Sequence, residues 1–384
     1  MRHKRFSHLW LLLGATLLTL LLGGCKGEIF GSPTDAADEL EARAGNSLQI
    51  GVDLSEALYA QEHGVQYRDT NGQVKDVFQI FKDHGYTWVR VRVNVDPPDN
   101  PNYAMFTDLA YAKQLGAIAK SKGFKLLVDF HYSHWWADPG NQWTPSAWQT
   151  NNINTLCTYV YNWTKDAITQ LRNAGAAPDM VQIGNEITNG LLWDLGGPYR
   201  SGGSWRNMAW LINSGINGVK DAGSSAKIMI HLDSGGSRST TQNWITNFRN
   251  NDGQWWDVDA FGLSYYTMWQ GSLGDLSNNL SYLNTLGKEI YIVETAYYWD
   301  TNEKGYSGSQ VPYPQTPQGQ YQFLQALKNT VSAYSNVKGV FYWGAAWAQS
   351  WKWLSAPGWP DDDASRRSLF DDNAVATMGI DGLF

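Results

Sequence analysis

Two glutamates stand at the ends of apolar, β-branched stretches of this sequence. Glu186 closes residues 182–186 (QIGNE), and Glu294 closes residues 291–294 (YIVE). Such runs are typical of buried parallel strands, whose last residues face the pocket in barrel enzymes. The two positions are 108 residues apart (294 − 186), which at about 31 residues per strand-helix unit corresponds to three units with modest insertions. We therefore expect Glu186 on a fourth strand and Glu294 on a seventh, both on one rim.

Two carboxyl groups that converge on one sugar-sized cleft are the minimal equipment for hydrolysing a glycosidic bond. A retaining enzyme holds them about 5 Å apart, with one protonated to donate to the leaving oxygen and one ionised to attack the anomeric carbon. Cations and hydrogen-bond donors favour the ionised form. Arg90 or Arg92, together with a tyrosine of the sixth strand, could supply these partners to Glu294.

The side chains next to Glu186 suggest supporting roles. The amide of Asn185 is suited to bind the hydroxyl next to the anomeric carbon, where hydrogen bonds strengthen in the transition state. We expect His231 to hydrogen-bond Glu186 and hold its proton, and His131 to contact substrate.

Eight β-like runs alternate with amphipathic helical segments along the chain. The runs cover residues 48–54, 87–93, 125–130, 179–184, 227–232, 258–265, 289–294 and 339–343. Helix stops are indicated by Gly85, Gly123 and Gly175, each at the end of a helical segment. This alternation predicts a single (β/α)₈ TIM barrel with long loops at its C-terminal face. A doubly wound sheet is the alternative, but no glycine-rich phosphate turn follows the first run.

Polar and aromatic residues recur where these predicted strands end. They are Asp53, Arg90, Arg92, Asn94, His131, Asn185, Glu186, His231, Tyr265, Tyr266, Glu294 and Trp343. Any one of them alone could be a hydrogen-bonded residue of the core. Since the C-terminal ends of barrel strands share one rim, the set as a whole indicates a binding site.

The composition indicates a carbohydrate ligand rather than a nucleic acid. The 384 residues carry a net charge of −7 with dispersed Lys and Arg, so there is no basic stripe for nucleic acid. The chain has 20 Trp, 20 Tyr and 13 Phe, and flat rings beside polar groups suit a ligand with both C–H faces and hydroxyls. Candidate sugar platforms, which could equally pack in the core or in loops, are Trp136, Trp193, Trp269, Trp299 and Trp347.

The N-terminus resembles a lipoprotein signal peptide. Basic residues precede an apolar run over residues 9–22, which is too short for a comfortable membrane span. It ends in LGGC, similar to the bacterial lipobox, so we expect Cys25 to be lipidated; an ordinary signal peptide is the alternative. We divide the chain into signal peptide (1–25), flexible tether (26–46) and catalytic domain (47–384). These features predict a lipid anchor in the outer or cytoplasmic membrane of a bacterial envelope, periplasmic or at the cell surface. We expect a monomer, although no feature of the sequence bears on the oligomeric state.

Metal chemistry is not expected. His131 and His134 straddle a strand end and a loop, and the sequence contains no H-E-x-x-H. The acidic runs at residues 361–363 and 371–373 are read as solvated loops. A structural calcium there is the alternative, although no EF-hand spacing is present. We expect no required cofactor.

Several motifs resemble glycoside hydrolase family 53, the endo-β-1,4-galactanases of a large retaining (β/α)₈ clan. The matching stretches are GVDLS (51–55), VRVRV (89–93), DFHYS (129–133), WADPG (136–140), VQIGNEITNGLLW (181–193), IHL (230–232), GLSYY (262–266), VETAY (293–297) and FYW (341–343). The resemblance covers about residues 50–369. It implies Glu186 as acid/base, Glu294 as nucleophile, and β-1,4-galactan of pectic side chains or type I arabinogalactan as substrate.

The sequence departs from the family's usual pattern at two places. The family usually continues Trp343 with EPAW, whereas residues 344–347 here are GAAW, and Tyr298 stands where the family usually has proline. Several members bind calcium through loops after strands seven and eight, and residues 299–310 lack a clear ligand pattern. Subsite preference and the calcium are the properties these changes affect.

Two other functions are compatible with the same barrel. Another retaining endo-glycanase, such as a mannanase or glucanase, would share the fold and the carboxylates, because specificity lies in loops. A surface lipoprotein that only binds glycans would have no need of Glu294. The leading hypothesis is a retaining endo-β-1,4-galactanase.

Overall fold

The computed structural model describes residues 48–100, 104–348 and 362–384. The predicted signal peptide, the tether and Cys25 lie outside the described residues, as does Asp361 of the first acidic run.

Eight parallel strands pair in chain order, and the eighth closes onto the first. They are β1 (Gln49–Asp53), β2 (Trp88–Val93), β3 (Lys125–Phe130), β4 (Met180–Ile183), β5 (Lys227–Leu232), β6 (Ala260–Ser264), β7 (Glu289–Glu294) and β8 (Val337–Tyr342). The predicted (β/α)₈ barrel is confirmed. Each of the eight predicted runs contains an observed strand or overlaps one, and β8 begins two residues before the run predicted for it.

Helices follow the strands around the outside of the barrel. Those of the described residues are α1 (Ala57–Glu62), α2 (Val77–Asp83), α3 (Leu109–Ser121), α4 (Ile153–Asn173), α5 (Trp205–Asp221), α6 (Arg238–Asn250), α7 (Thr267–Gln270), α8 (Leu273–Leu283), α9 (Pro317–Ser332) and α10 (Asp362–Ser365). Side chains cap the starts, as where Asp108 accepts from the backbone N–H of Tyr111. Gly85, Gly123 and Gly175 follow helix ends with positive φ, as predicted. Within the described ranges, no helix is both long and apolar enough to span a bilayer.

The barrel interior is layered. Its lower part is an apolar cluster of Trp88, Leu127, Met180, Met229, Ala260, Tyr291, Val293 and Phe341. Two positions further along four of the strands, which is the period of one strand face, the residues are polar: Arg90, Asp129, Gln182 and His231. The polar layer therefore lies towards the C-terminal rim, directly above an apolar floor.

Two irregularities adapt the strands to this interior. The pairing of β6 with β7 skips Val293, so that Ser264 lies opposite Glu294. On β1, Gly51 leaves room for the Phe341 ring, since a Cβ at Gly51 would lie 2.3 Å from Cδ1 of that ring. The first irregularity brings Glu294 to the rim, and the second allows the floor to be filled by an aromatic side chain.

A charged cluster ties the C-terminal segment to the N-terminal part of the barrel. His84, which follows α2, contacts Asp381 through Nδ1 at 2.6 Å and Asp69 through Nε2 at 2.9 Å. Lys75 also contacts Asp69. The cluster joins segments that lie almost 300 residues apart in the sequence.

Candidate active site

The end of β4 presents Glu186 to a cleft at the C-terminal face of the barrel. Gly184 has φ +80°, and Glu186 itself has φ +49° and ψ +48°. This left-handed conformation costs a residue with a Cβ about 1–3 kcal/mol and is concentrated at functional sites. Ser264 on β6 donates a hydrogen bond of 2.5 Å to Oε1 of Glu186. The turn and the serine together orient the carboxyl group.

The end of β7 presents Glu294 to the same cleft. Its Oε1 lies 2.8 Å from Nη2 of Arg90, and the Tyr266 hydroxyl donates to its Oε2 at 3.2 Å. These are the two kinds of partner expected from the sequence, an arginine of strand two and a tyrosine of strand six. Arg92 has a different partner and lies 2.8 Å from Glu56.

Arg90 is the centre of a buried polar network. Its Nη1 donates to Asp53 at 2.9 Å, and its Nη2 donates to Asp129 and Asn185 at 2.8 Å each. Burial alone would lower the pKa of Arg90, but the surrounding carboxylates, Asp129, Glu294 and Asp53, raise it well above its ordinary value. Arg90 is therefore a fixed positive charge beside Glu294.

Asn185 is oriented from both ends of its amide. Its Oδ1 accepts from Arg90 and Gln182, and its Nδ2 donates to the carbonyl of Ala137 at 2.8 Å. An Asn amide carries two N–H donors, so one remains for a ligand in the cleft that Asn185 lines.

The contacts of the two histidines differ in part from those expected. His231 is fully buried and accepts a hydrogen bond from the backbone N–H of Glu186 at 3.4 Å, but its other ring nitrogen contacts Ser264 Oγ at 2.8 Å rather than the Glu186 carboxylate. Burial lowers its pKa well below the ordinary value, so it is neutral. His131 lines the cleft, but its Nε2 meets Asp129 and its Nδ1 accepts from the Ala137 backbone. His231 thus acts on Glu186 through Ser264, and both ring nitrogens of His131 are bound by protein.

Twelve residues singled out from the sequence line one cleft. They are Asp53, Arg90, Arg92, His131, Trp136, Asn185, Glu186, Tyr266, Trp269, Glu294, Trp343 and Trp347. The cleft encloses about 790 Å³, within the range of about 300–1,000 Å³ typical of ligand sites. The structure therefore brings together both glutamates and most of the predicted binding residues.

Five residues of the predicted strand-end and binding sets do not line this cleft, because each bonds to other parts of the protein instead. Asn94 donates from its Nδ2 to the carbonyl of Trp135 at 2.9 Å. His231 is enclosed in the barrel, and the Tyr265 hydroxyl donates to the Gly271 carbonyl while the adjacent Tyr266 faces the ligand space. The indole of Trp299 donates to the carbonyl of Ser365. Trp193 donates to Asn189, and the Arg200 guanidinium stacks on its ring at 3.8 Å.

Several cleft and network residues were missed from the sequence. The most important are Asp129, Gln182, Ser264, Asp138, Asp233, Glu56 and Arg367. For Asp129 and Gln182 a pattern was available, because each lies two residues after an inward apolar residue on its strand. No such pattern indicates Glu56, which lies in the turn after β1.

The model of glycosyl hydrolase family 53 matches residues 49–382. The chain belongs to this family. It is 39% identical over 308 residues to an arabinogalactan endo-β-1,4-galactanase of Humicola insolens, covering 77% of this chain and 89% of that protein.

Solved structures of the family share the fold. A fungal β-1,4-galactanase superimposes with a TM-score of 0.79 at 34% identity, covering 88% of this chain and 99% of the other. The family 53 catalytic domain of Ignisphaera aggregans gives a TM-score of 0.78 at 33% identity, with 88% and 95% covered. This chain is a glycoside hydrolase.

The environments of the two glutamates in this family 53 site are unequal. Burial raises the pKa of Glu186 well above its ordinary value, and the charges of Glu294 and Asp233 raise it further, while the Ser264 hydrogen bond lowers it. Burial also raises the pKa of Glu294, to about 7, but there Arg90 opposes the rise. Glu294 therefore ionises first, and Glu186 keeps its proton. This division is the one that acid and nucleophile require.

No metal site is evident in this family 53 barrel as far as it is described. Residues 48–100, 104–348 and 362–384 contain no group of three or more His, Cys, Asp or Glu arranged to hold a metal ion. Asp371 accepts from the backbone N–H groups of Asn373 and Val375, so its carboxylate shapes a turn. Asp361 lies outside the described residues.

Proposed function

We propose that this chain is a retaining endo-β-1,4-galactanase that hydrolyses β-1,4-galactan of pectic side chains or type I arabinogalactan. The substrate assignment is supported by the Humicola insolens relative, whose name specifies arabinogalactan and endo-β-1,4 cleavage. The observation that carries the mechanism is an asymmetry: Arg90 contacts Glu294 at 2.8 Å, whereas the hydrogen bond to the Glu186 carboxylate comes from the neutral Ser264.

In the first step, Glu294 Oε attacks the anomeric carbon and Glu186 transfers its proton to the departing glycosidic oxygen. The bond to the leaving sugar breaks, and a glycosyl ester forms on Glu294. The Tyr266 hydroxyl and Arg90 hold the attacking carboxylate in place.

In the second step, Glu186, now ionised, accepts a proton from water while the water oxygen attacks the same carbon. The ester bond to Glu294 breaks, and both carboxyl groups return to their starting states. Two inversions at one carbon leave the product with the substrate's β configuration.

A product analysis on linear galactan, mannan and glucan tests this assignment. We expect mixed oligomers from galactan at early times, and ¹H NMR of fresh products should show the β-anomer first. Preferential cleavage of mannan or glucan would replace the substrate assignment. Binding of galactan without cleavage would favour the glycan-binding alternative, and a first-formed α-anomer would rule out retention.

We also propose that Cys25 is lipidated and anchors the enzyme, as a monomer, to the bacterial envelope. The LGGC sequence after a short apolar run supports this. Labelling with a fatty-acid analogue in a bacterial host should mark the wild-type protein and not Cys25→Ser. Equal labelling of both proteins would contradict the anchor, and light scattering of the detergent-free domain tests the monomer.

A further inference from the structure

A buried carboxylate contacts the tryptophan and arginine side chains that line the cleft, and it takes no part in the two hydrolytic steps. Glu56, between β1 and α1, is 3% exposed and is not among the residues that line the cleft. Its Oε2 accepts from the indole N–H of Trp347 at 2.8 Å, and its Oε1 lies 2.8 Å from Nη2 of Arg92. Each oxygen of one carboxylate thus holds a different cleft residue.

Arg92 extends this contact to a second tryptophan. Its guanidinium carbon lies 3.7 Å from the centre of the Trp136 ring, a stacked arrangement. The rings of Trp136 and Trp347 meet edge to face at 6.5 Å, and Trp343 lies 5.3 Å from Trp347. We call Trp136, Trp343 and Trp347 the tryptophan wall. Glu56 therefore contacts this wall directly at Trp347 and, through Arg92, at Trp136.

The Arg92 guanidinium is held by further hydrogen bonds in addition to its contact with Glu56. Arg92 also donates to Thr107 at 3.1 Å and to the carbonyl of Ala104 at 3.0 Å. An indole N–H has a single donor direction, so the bond to Glu56 fixes the rotation of the Trp347 ring about its long axis. Stacking on a sugar depends on that rotation, because only the ring face matches the C–H face of a pyranose.

We propose that Glu56 is a positioning residue that sets the orientation of Trp347, and through Arg92 that of Trp136, so that the tryptophan wall can pack against the sugar rings of the substrate. This inference rests on the proposed function, since it takes a β-linked polysaccharide as the ligand. Glu56 touches neither substrate nor the reacting atoms.

The test is steady-state kinetics on galactan with Glu56→Gln, whose amide has one oxygen acceptor where the carboxylate has two. Because hydrogen bonds to charged groups are worth more than those between neutral groups, we expect KM to rise about tenfold and kcat to change less than about twofold. The matched control is Glu62→Gln on α1, an exposed glutamate bonded to Gln114, which should leave KM unchanged.

A double-mutant cycle separates positioning from a general packing effect. Trp347→Phe keeps a flat ring but removes the N–H that Glu56 holds. If Glu56 acts through this bond, Glu56→Gln/Trp347→Phe should raise KM by clearly less than the product of the two single effects. The proposal would be overturned if the double variant raised KM by the whole product of the two single effects. It would also be overturned if KM were unchanged in folded Glu56→Gln.

If Glu56→Gln does not fold, Glu56→Leu/Arg92→Met removes both charges together, which buried pairs often tolerate. The rise in KM is expected there too, and an unchanged KM would overturn the proposal. The wild-type protein is measured in the same assay. Its failure to cleave galactan would count against the proposed function, whereas an active wild type with an unaffected Glu56 variant would count against the positioning role alone.

Discussion

Nη2 of Arg90 lies 2.8 Å from Oε1 of Glu294, and no arginine or lysine contact of this kind is seen for Glu186 among the described residues. The difference decides which carboxyl group ionises first. Ser264 can donate one hydrogen bond to Glu186 but brings no charge, while Arg90 brings a full charge to Glu294. Two chemically identical side chains thereby receive opposite roles.

The first prediction separates those roles. Glu294→Gln should lower kcat on galactan by roughly 10⁴-fold or more, because no nucleophile remains, and galactan should still bind by calorimetry. Glu186→Gln should lower kcat on galactan by roughly 10²–10⁴-fold, since proton donation is lost. On an aryl β-galactobioside with an acidic phenol, Glu186→Gln should retain most of the rate of bond cleavage in a burst experiment.

The comparison of substrates is the decisive measurement. A phenol of low pKa leaves without a proton, so this substrate should restore bond cleavage only in Glu186→Gln, the variant that lacks the proton donor. If Glu294→Gln also recovered on the aryl substrate, or cleaved galactan at the wild-type rate, the nucleophile assignment would be wrong.

The second prediction concerns the basic limb of the pH–rate profile of kcat/KM. Activity requires protonated Glu186, so it is lost as pH rises through the pKa of Glu186. The negative charge of Asp233 raises this pKa and the Ser264 hydrogen bond lowers it. Asp233→Asn should therefore move the basic limb to lower pH, and Ser264→Ala should move it to higher pH.

The acidic limb provides an internal control. It reports Glu294, whose pKa is raised to about 7, so it should lie above the range of an ordinary glutamate. Neither Asp233 nor Ser264 is among the main determinants of that pKa. Shifts of both limbs together, or shifts of the basic limb in the same direction in both variants, would contradict the assignment of Glu186 as the acid.

The third prediction concerns stability and the cluster around His84. Partial burial alone would lower the pKa of His84, but hydrogen bonds to Asp69 and Asp381 raise it. A raised folded-state pKa stabilises the fold fully below the unfolded value, about 6.5, and this contribution is lost as pH rises through the folded value. Wild-type protein should therefore lose Tm between pH 6 and 9 to a greater extent than His84→Gln.

Asp69 determines how the stability contributed by this cluster changes at acid pH. Burial works to raise its pKa, but hydrogen bonds from His84 and Lys75 bring it well below the ordinary value. Its contribution is present above about 3.9 and is lost as pH falls. At pH 5.5, His84→Gln should cost about 1 kcal/mol of unfolding free energy, measured by urea denaturation. Parallel pH profiles of Tm for both proteins would show that the cluster contributes nothing.

The fourth prediction concerns the floor of the barrel. Gly51→Ala places a Cβ 2.3 Å from the Phe341 ring, so overpacking should cost about 1–3 kcal/mol. Gly274→Ala is the matched control. This glycine is exposed on α8, and its nearest outside atom, in Ser272, lies 3.4 Å from the added Cβ, so the change should be neutral or stabilising by up to about 1 kcal/mol. Phe341→Leu should recover part of the loss in Gly51→Ala, and a neutral Gly51→Ala would show that the ring can shift.

The strand ends were predictable because their cause is local. A parallel strand buried on both faces needs a continuous apolar run, and the run stops where the chain reaches the rim. Glu186 and Glu294 follow such runs, and both line the cleft. The eightfold alternation of runs and helices, together with helix stops such as Gly123, was sufficient for the barrel.

Which side chain at a strand end faces the ligand was decided by the tertiary structure. Tyr265 and Tyr266 are equivalent in the sequence, yet Tyr266 meets Glu294 and Tyr265 bonds the Gly271 carbonyl. The pairing of β6 with β7 skips Val293 and so shifts the register of β7 just before Glu294, and a shift by one residue exchanges the faces of a strand. Such a shift depends on how two strands pair, and so on interactions between distant parts of the chain.

The composition and order of residues determined the barrel, the two carboxylates and the aromatic character of the binding site, because periodicity and strand termination act over a few neighbouring residues. Only the closed barrel decided that Arg90 neutralises Glu294, that Ser264 stands between His231 and Glu186, and that Glu56 supports Trp347 from 291 positions away. Hydrogen bonds and ion pairs act over a few ångströms in space, and the strand order brings those atoms together regardless of their separation along the chain.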